Sequence, residues 1–452
     1  MKLGTSYRSI WKVSIPIIIG SAAQNVVAMT DSVFLYYRSE DDFAAIGFVA
    51  AFYIIVAAIG FGFSRGGQIL IAHYAGKGKP KTVGRAFYST VYFELVLALV
   101  IFLFMTYGAY WLFALFVDSD IIFYKSLEYL ETRKWGIFAS YLGVACLALY
   151  TGIARPVFII VDTVILALTN IFLDRALIFG MYGFPEMGIA GAGLASTIAE
   201  YVALIVFVVY MFFDRANRKY RITRLPGWDK KLIREIVGLS VPIVAMSVVG
   251  LGSSFFFFGL VENFGERQLA VTNIVRIAYL ILSIPAWGFC TGINTLVSYF
   301  VGKGQPQNVK VVLWKTAYMC LGVTLLMGLP LIIGPRTVLY PILGDERAYL
   351  IEMAYPIFWV LLGILTTFSF GSIFFNGLIG AGETKKALIY QSACALIYMV
   401  LIFLVVRSGW GNLTFAWSAE IVYWLIMFAL SFRYFQHPRW KMYPDREMRK
   451  KT

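Results

Sequence analysis

A few acids and amides inside long apolar stretches are the residues of this sequence best suited to chemistry. Asn170 and Asp174 are four positions apart, so in a helix they share one face, one turn from each other. Asp31 lies in a separate apolar stretch. A carboxyl group in apolar surroundings favours its neutral form, so it can take up and release a proton. Oxygen atoms of this kind, joined by a hydroxyl group from Ser196 or Thr197, also suit a hard cation.

The sequence therefore predicts a cation-coupling site made of Asp31, Asn170, Asp174 and Thr197, with Ser196 as the other candidate hydroxyl. Acids at bilayer depth are costly and are by default functional. The alternative is a structural role, for example an ion pair between Asp174 and its neighbour Arg175.

A stripe of polar residues in the first apolar stretch predicts a surface that faces a cavity or the interior of a bundle rather than lipid. Its members recur at seven-, four- and three-residue spacings and are Ser14, Ser21, Gln24, Asn25, Asp31 and Ser32. We predict a substrate cavity lined by Gln24, Asn25, Ser196, Glu200 and Phe257.

Membrane-spanning helices must position these residues. Hydrophobic residues make up 60% of the chain and charged residues only 14%, and the mean hydropathy is +0.75. Each spanning helix needs about 20 residues. The apolar stretches predict an all-α polytopic membrane protein with twelve transmembrane helices, at residues 10–36, 43–74, 84–107, 124–150, 156–180, 188–213, 232–261, 268–300, 310–333, 348–377, 385–406 and 412–434.

An internal repeat divides these helices into two sets of six. GFSRGGQILIAHYAGKGKP begins at Gly62, and GFCTGINTLVSYFVGKGQP begins at Gly288, 226 positions later and so at an offset of half the chain. The repeat predicts an N-terminal lobe at 1–225 and a C-terminal lobe at 226–452 that ends in a short basic tail. Because six spans return the chain to its starting side, the two lobes are expected to be parallel repeats. The Gly-Lys-Gly segments are interpreted as helix ends with an anchoring lysine.

The two halves differ in their acids. The repeat counterpart of Asp31 is Phe257, within four consecutive phenylalanines. The counterparts of Asn170 and Asp174 fall in residues 397–405, which are apolar apart from Tyr398. Packing alone does not require this difference, so the sequence predicts a cation site confined to the first half.

The net charge of +14 raises the question of a nucleic-acid partner, but the basic residues lie in alternate loops between spans. This is the distribution of the positive-inside rule. It predicts that both termini are cytoplasmic and that the protein lies in the cell membrane, the inner membrane of a double-membraned cell. The first span contains Gln24, Asn25 and Asp31, which is too polar for a signal-peptide core, so it is expected to be a retained helix.

Several classes of protein are excluded by missing motifs. There is no G-x-x-x-x-G-K-[ST] phosphate loop, so the chain carries no ATP-driven motor of its own. Its two histidines and four scattered cysteines offer little for metal or nucleophilic chemistry. We expect no enzyme activity, no cofactor and no resident metal.

In their order and spacing, several segments together resemble the multidrug and toxic compound extrusion (MATE) transporters over nearly the whole chain. They are TDSVFLYY with Asp31, the AAIGF that begins span two, the two Gly-Lys-Gly ends, TNIFLDRALIFG in span five, GIAGAGLAST at the start of span six, and GLIGAGET after span ten. The resemblance implies two six-helix lobes around a cavity that opens alternately to either side. It also implies coupled export of organic, often cationic or amphipathic compounds, and the first-lobe acids resemble the DinF-like branch. Arg175, Arg133 and Lys134 depart from the pattern.

We expect the driving ion to be a proton, because Arg175 would oppose a metal cation if it pointed inward; sodium is the alternative. A second alternative is a flippase for lipid-linked oligosaccharide or another anionic lipid, which intramembrane Arg and Lys residues would favour. A receptor or scaffold would not explain the one-sided acids. The expected partners are a small-molecule substrate and the lipid bilayer, with no nucleic acid, and the expected state is a monomer.

Overall fold

The computed structural model of the chain describes residues 3–343, 348–408 and 412–437, and the side chains of 23–28, 341–343 and 348 lie outside this description. The predicted basic tail from 438 onward is also outside it. The described residues form helices without a strand. The α-helices are α1 Tyr7–Arg38, α2 Glu40–Gly76, α3 Pro80–Tyr107, α4 Ala109–Ala114, α5 Asp120–Arg133, α6 Gly136–Gly152, α7 Val157–Ile178, α8 Gly188–Phe213, α9 Lys230–Val261, α10 Glu266–Gly302, α11 Gln307–Ile333, α12 Pro335–Leu343, α13 Ala348–Gly380, α14 Thr384–Arg407 and α15 Leu413–Gln436.

The predicted all-α multi-pass fold is confirmed. Within the described residues, ten helices are long and apolar enough to cross a membrane, and the bent pair α5 and α6 forms an eleventh span. With the 32-residue α1, these helices account for the twelve predicted spans. The short helices α4 and α12 were not predicted.

The fourth span differs from its prediction as one continuous helix over 124–150. It breaks between α5 and α6, with a bend of 56°. A Cβ on Gly136, the first residue of α6, would lie 2.2 Å from Arg133 Nη1. The glycine therefore leaves room for the guanidinium group of Arg133 to fold over the start of α6, which is the physical reason that we assign to the break.

The described chain divides into two compact units, which we call the N unit (residues 19–244) and the C unit (residues 1–18 with 245–452). The beginning of α9 thus belongs to the N unit, and the beginning of α1 to the C unit. Each unit has apolar core clusters of its own. One cluster of the N unit includes Leu35, Val49, Phe113 and Tyr141.

The repeat explains how these helix beginnings pack. In the N unit, a Cβ on Gly66 would lie 2.0 Å from Ser240 Oγ, and in the C unit a Cβ on Gly292 would lie 2.6 Å from Ser14 Oγ. Gly66 and Gly292 are repeat counterparts, and so are Ser14 and Ser240. The same close helix contact is therefore built twice, each time from a glycine of one repeat and a serine of the other.

Both Gly-Lys-Gly segments end a helix, as the sequence predicts. Gly78 and Gly304 have φ of 68° and 72°, a left-handed conformation that favours glycine. The following backbone amides, of Lys79 and Gln305, donate to the carbonyl groups of Tyr74 and Phe300 at 3.0 and 2.9 Å. These bonds satisfy carbonyl groups at the ends of α2 and α10 that have no partner within the helix.

Candidate functional site

The first-half acids and amides come together from three helices of the N unit. Asp31 is on α1, Asn170 and Asp174 are one turn apart on α7, and Ser196 is on α8. Ser196 Oγ donates to Asp31 Oδ2 at 3.1 Å and accepts a hydrogen bond from Asn170 Nδ2 at 3.2 Å. All four residues are buried, Asn170 and Asp174 completely. The serine hydroxyl thus links the acid of α1 to the amide of α7.

Glycines allow α8 to approach its neighbours closely enough for these bonds. A Cβ on Gly191 would lie 2.7 Å from the carbonyl oxygen of Leu177 on α7, and a Cβ on Gly193 would lie 2.4 Å from Thr132 Oγ1 on α5. These glycines belong to the GIAGAG segment at the start of α8. That segment therefore positions Ser196 because it sets the separation between helices.

Several oxygen atoms at this site accept no hydrogen bond from a donor group of the described residues while both acids are ionised. They are Asp31 Oδ1, Asn170 Oδ1, Asp174 Oδ1 and Asp174 Oδ2. Buried polar atoms are nearly always satisfied, so such a group of unmatched acceptors calls for a donor or a cation. Within the described part of the chain, the arrangement thus offers acceptor oxygens and no fixed positive partner for Asp174.

The carboxyl groups of Asp31 and Asp174 lie within hydrogen-bonding reach of each other. Two ionised carboxylates in contact repel strongly, and neither can donate a hydrogen bond. If one group is protonated, it can donate to the other and the repulsion disappears. The pair is therefore suited to hold one shared proton, in the manner of other paired acids.

Glu200, predicted to line a cavity, is engaged by the arginine at the bend of the fourth span. Arg133 donates to both carboxylate oxygens of Glu200, at 2.8 and 2.6 Å. The guanidinium group also lies over the ring of Tyr53, 4.4 Å from its centroid. Thr197, predicted as a cation ligand, donates to the carbonyl oxygen of Thr132 at 3.0 Å. The structure therefore brings Ser196 to the acid pair and places Thr197 beside the arginine–glutamate pair.

The other basic residues that depart from the family pattern do not enter the acid site. Lys134 forms an ion pair with Glu131 at 2.6 Å, one turn away on the same span. Arg175 is exposed, although its neighbour Asp174 is completely buried. The side chains of Gln24 and Asn25, predicted to line the cavity, lie outside the described residues.

Phe257 packs in the apolar core of the C unit and is only 4% exposed. Its ring centroid is 5.1 Å from that of Trp417 in an edge-to-face arrangement and 6.3 Å from that of Tyr398. The structure therefore places the repeat counterpart of Asp31 among core aromatic residues of the other unit.

Sequence reasoning missed an acid in the second half. Glu420 lies on α15 and accepts hydrogen bonds from Tyr279 of α10 and Trp424 of α15, at 2.7 and 3.2 Å. The signal was available, since Glu420 lies within the predicted span 412–434 and an acid inside a span is a functional candidate. The internal repeat does not point to Glu420, because its repeat counterpart is Leu194.

Comparison with known proteins agrees with this architecture. The MatE family model matches residues 16–175 and 242–404, more than half of the chain. The chain therefore belongs to the MatE family, whose members are membrane transporters.

Relatives and solved structures extend the comparison over most of the chain. The protein named probable multidrug resistance protein NorM of Thermotoga maritima is 23% identical, over 95% of this chain and 92% of the relative. The protein of the same name in Agrobacterium fabrum is 25% identical, over 65% of this chain and 63% of the relative. A MOP superfamily transporter from Pyrococcus furiosus has a TM-score of 0.85 at 17% identity, covering 96% of this chain and 95% of that chain. A multidrug resistance MATE family transporter in an outward-facing conformation also has a TM-score of 0.85 at 17% identity, covering 94% of each chain. At these identities, the likeness to the solved structures concerns the fold.

Proposed function

We propose that this protein exports organic, often cationic or amphipathic, compounds across the cell membrane in exchange for inward protons. The observation that carries the proposal is the Asp31–Asp174 pair, two buried carboxyl groups within hydrogen-bonding reach of each other, with no basic partner for Asp174 among the described residues. Such a pair can hold one proton or release it, and the two states differ by a full negative charge in apolar surroundings. The relatives named as multidrug resistance proteins support the choice of substrate class.

The exchange follows from a link between the charge of this pair and access to the two sides of the membrane. Release of the shared proton leaves the pair negative, uptake of a proton makes it neutral, and the two charge states favour opposite access states. The proton binds in one access state and the cationic compound in the other, so exchange of one ligand for the other completes the cycle. Ser196 and Asn170 hold the Asp31 carboxylate in place through both states.

The proposal also covers the orientation of the protein in the membrane and the number of chains that transport requires. Both termini are cytoplasmic, so the basic loops after even-numbered spans lie inside the cell. One chain is sufficient for transport because both repeats are present in it. Nucleic acid has no part in the function, and transport involves no chemical conversion of the substrate.

Sodium is a second candidate as coupling ion. The oxygen atoms of Asp31, Asn170, Asp174 and Ser196 are of the type that a hard cation prefers. The sequence argument against sodium assumed that Arg175 points inward, and its exposure removes that objection. The proton keeps the preference because contact between two carboxyl groups requires a donor, which protonation supplies.

A lipid flippase with a basic cavity is not favoured. Arg133 and Lys134, two of the intramembrane cations that would support it, already pair with Glu200 and Glu131. Anionic headgroups would have to compete with these carboxylates.

Drug efflux from proteoliposomes tests the proposal. An imposed pH gradient should drive uphill movement of ethidium without sodium, and Asp31→Asn or Asp174→Asn should each reduce it to below about one tenth of wild type, since the amide cannot take up the exchanged proton. Glu94→Gln is the matched control, because Glu94 is completely buried in the same unit and accepts a hydrogen bond from Ser64 at 2.8 Å, without a place in the acid pair. Sustained efflux with high outside sodium and no pH gradient, lost when potassium replaces sodium, would establish the sodium alternative instead.

A further inference from the structure

Glu420 holds one carboxylate oxygen in a fixed position and leaves the other unused. Tyr279 and Trp424 both donate to Oε1, at 2.7 and 3.2 Å. Oε2 accepts no hydrogen bond from the described residues. It is also not completely buried. The side chain is partly exposed. The carboxylate is therefore oriented by two donors to one oxygen, and the other oxygen has no donor among the described residues.

No basic residue neutralises this carboxylate in the described part of the chain. Arg276 lies on α10, one turn before Tyr279. Its guanidinium group lies over the ring of Phe258, 4.9 Å from the ring centroid. An unpaired carboxylate inside a membrane span is costly, and such residues usually serve a ligand, an ion or a proton. The hydrogen bonds from Tyr279 and Trp424 use only Oε1. A purely structural role for the side chain therefore leaves Oε2 unexplained.

Tyr279 and Trp424, the two aromatic residues that donate to Glu420, pack against further aromatic rings of the same unit. Trp424 lies 4.6 Å from Phe368 of α13 and 4.9 Å from Tyr423, measured between ring centroids. Tyr279 lies 6.1 Å from Phe368. Tyr279, Tyr423 and Trp424 are partly exposed. The faces of Trp and Tyr rings attract cations, and most strongly where water is excluded.

We infer that Glu420 and the rings of Tyr279, Tyr423 and Trp424 form a binding site in the C unit for an organic ammonium or other large, delocalised organic cation. This inference deepens the proposed function, on which it rests for the class of substrate. The substrate and the driving ion then use different residues: the cation binds to the carboxylate and rings of the C unit, and the proton binds to the Asp31–Asp174 pair of the N unit.

The chemistry of the site favours an organic cation over other ligands. A metal ion prefers several converging oxygen atoms, and here a single carboxylate lies beside aromatic residues. An anion would be repelled by the carboxylate. A large organic cation satisfies both components, since its charge faces Oε2 and its apolar surface covers the rings.

Binding of ethidium to the purified full-length protein, followed by fluorescence anisotropy, tests the inference. Glu420→Gln should raise the Kd for ethidium about tenfold or more, because the amide keeps an acceptor for Tyr279 and Trp424 but removes the charge. Glu420→Asp, which keeps the charge, should retain part of the affinity. Asp31→Asn should change the Kd less than about twofold although it stops proton-driven efflux.

A matched control is Glu383→Gln in the same unit. Glu383 also accepts from a tyrosine, Tyr434 at 3.2 Å, but it has a basic partner in Lys386 at 3.0 Å. This variant should bind ethidium like wild type. Monodisperse elution of each variant shows that it is folded, so a loss of affinity reports on the site.

The inference is overturned if wild type binds no ethidium, if Glu420→Gln binds it with unchanged affinity, or if Asp31→Asn weakens binding as much as Glu420→Gln does. None of these results decides the proposed function, which depends on whether a pH gradient drives efflux in proteoliposomes. Conversely, loss of ethidium binding in Glu420→Gln together with an absence of proton-driven efflux in wild type would support the site and reject proton coupling.

Discussion

The arginine–glutamate pair at the bend of the fourth span offers a sharp test of how the N unit is held together. Arg133 donates to both oxygen atoms of Glu200, and the two side chains are only 8% and 16% exposed. We expect Arg133→Gln to destabilise the protein strongly, because it leaves the carboxylate of Glu200 buried without its partner. Glu200→Gln should do the same by leaving the guanidinium group unpaired.

The size of the effect follows from the burial and geometry of the pair. Removing one partner of a buried, hydrogen-bonded ion pair costs about 3–5 kcal/mol. At about 2 °C per kcal/mol for a unit of this size, the apparent midpoint of thermal unfolding should fall by roughly 6–10 °C. The double variant should recover at least half of that loss, because two amides can bond to each other and neither carries an uncompensated charge.

The assay is thermal unfolding of the detergent-solubilised protein, arranged as a double-mutant cycle. Arg85→Gln is the matched control in the same unit: Arg85 forms an ion pair with Asp229 at 2.5 Å, but its side chain is 56% exposed. A surface pair contributes about 1 kcal/mol or less, so this variant should unfold within about 2 °C of wild type. Additive effects of Arg133→Gln and Glu200→Gln would refute the reasoning, because they would show that the two side chains do not stabilise the unit as a pair.

Two further predictions concern topology and the repeat. Single cysteines that replace Lys77 and Lys303, each beside the end of a repeated helix, should be labelled by a membrane-impermeant maleimide only from the cytoplasm. A cysteine that replaces Asp41 should be labelled only from outside. Labelling of positions 77 and 303 from opposite sides would contradict the parallel repeat. Gly66→Ala should lower the free energy of unfolding by about 1–3 kcal/mol, since its Cβ would strike the serine side chain of α9. Gly143→Ala on α6, whose Cβ meets nothing within 4 Å, should leave stability unchanged or raise it by up to about 1 kcal/mol; equal losses would show that close packing at Gly66 is not the cause.

The sequence alone determined the number and the approximate limits of most spans. The sixth span, predicted at 188–213, coincides with α8 Gly188–Phe213. The reason is that a bilayer imposes length and apolarity on each helix separately, and both can be recognised locally. The break in the fourth span escaped prediction because Arg133, whose side chain folds over the start of α6, is held there by Glu200, 67 positions away in the sequence.

For the candidate sites too, the sequence predicted contacts within one helix, and the tertiary structure decided contacts between helices. Spacing within one helix correctly placed Asn170 and Asp174 together, because residues four apart share a face. Spacing could not decide between Ser196 and Thr197, which point about 100° apart on α8. Only the tertiary structure decided that Ser196 meets Asp31, since this depends on how α8 is rotated against its neighbours. The bond between Glu420 and Tyr279 likewise joins residues 141 positions apart, because helix packing rather than sequence spacing determines which faces of different helices meet.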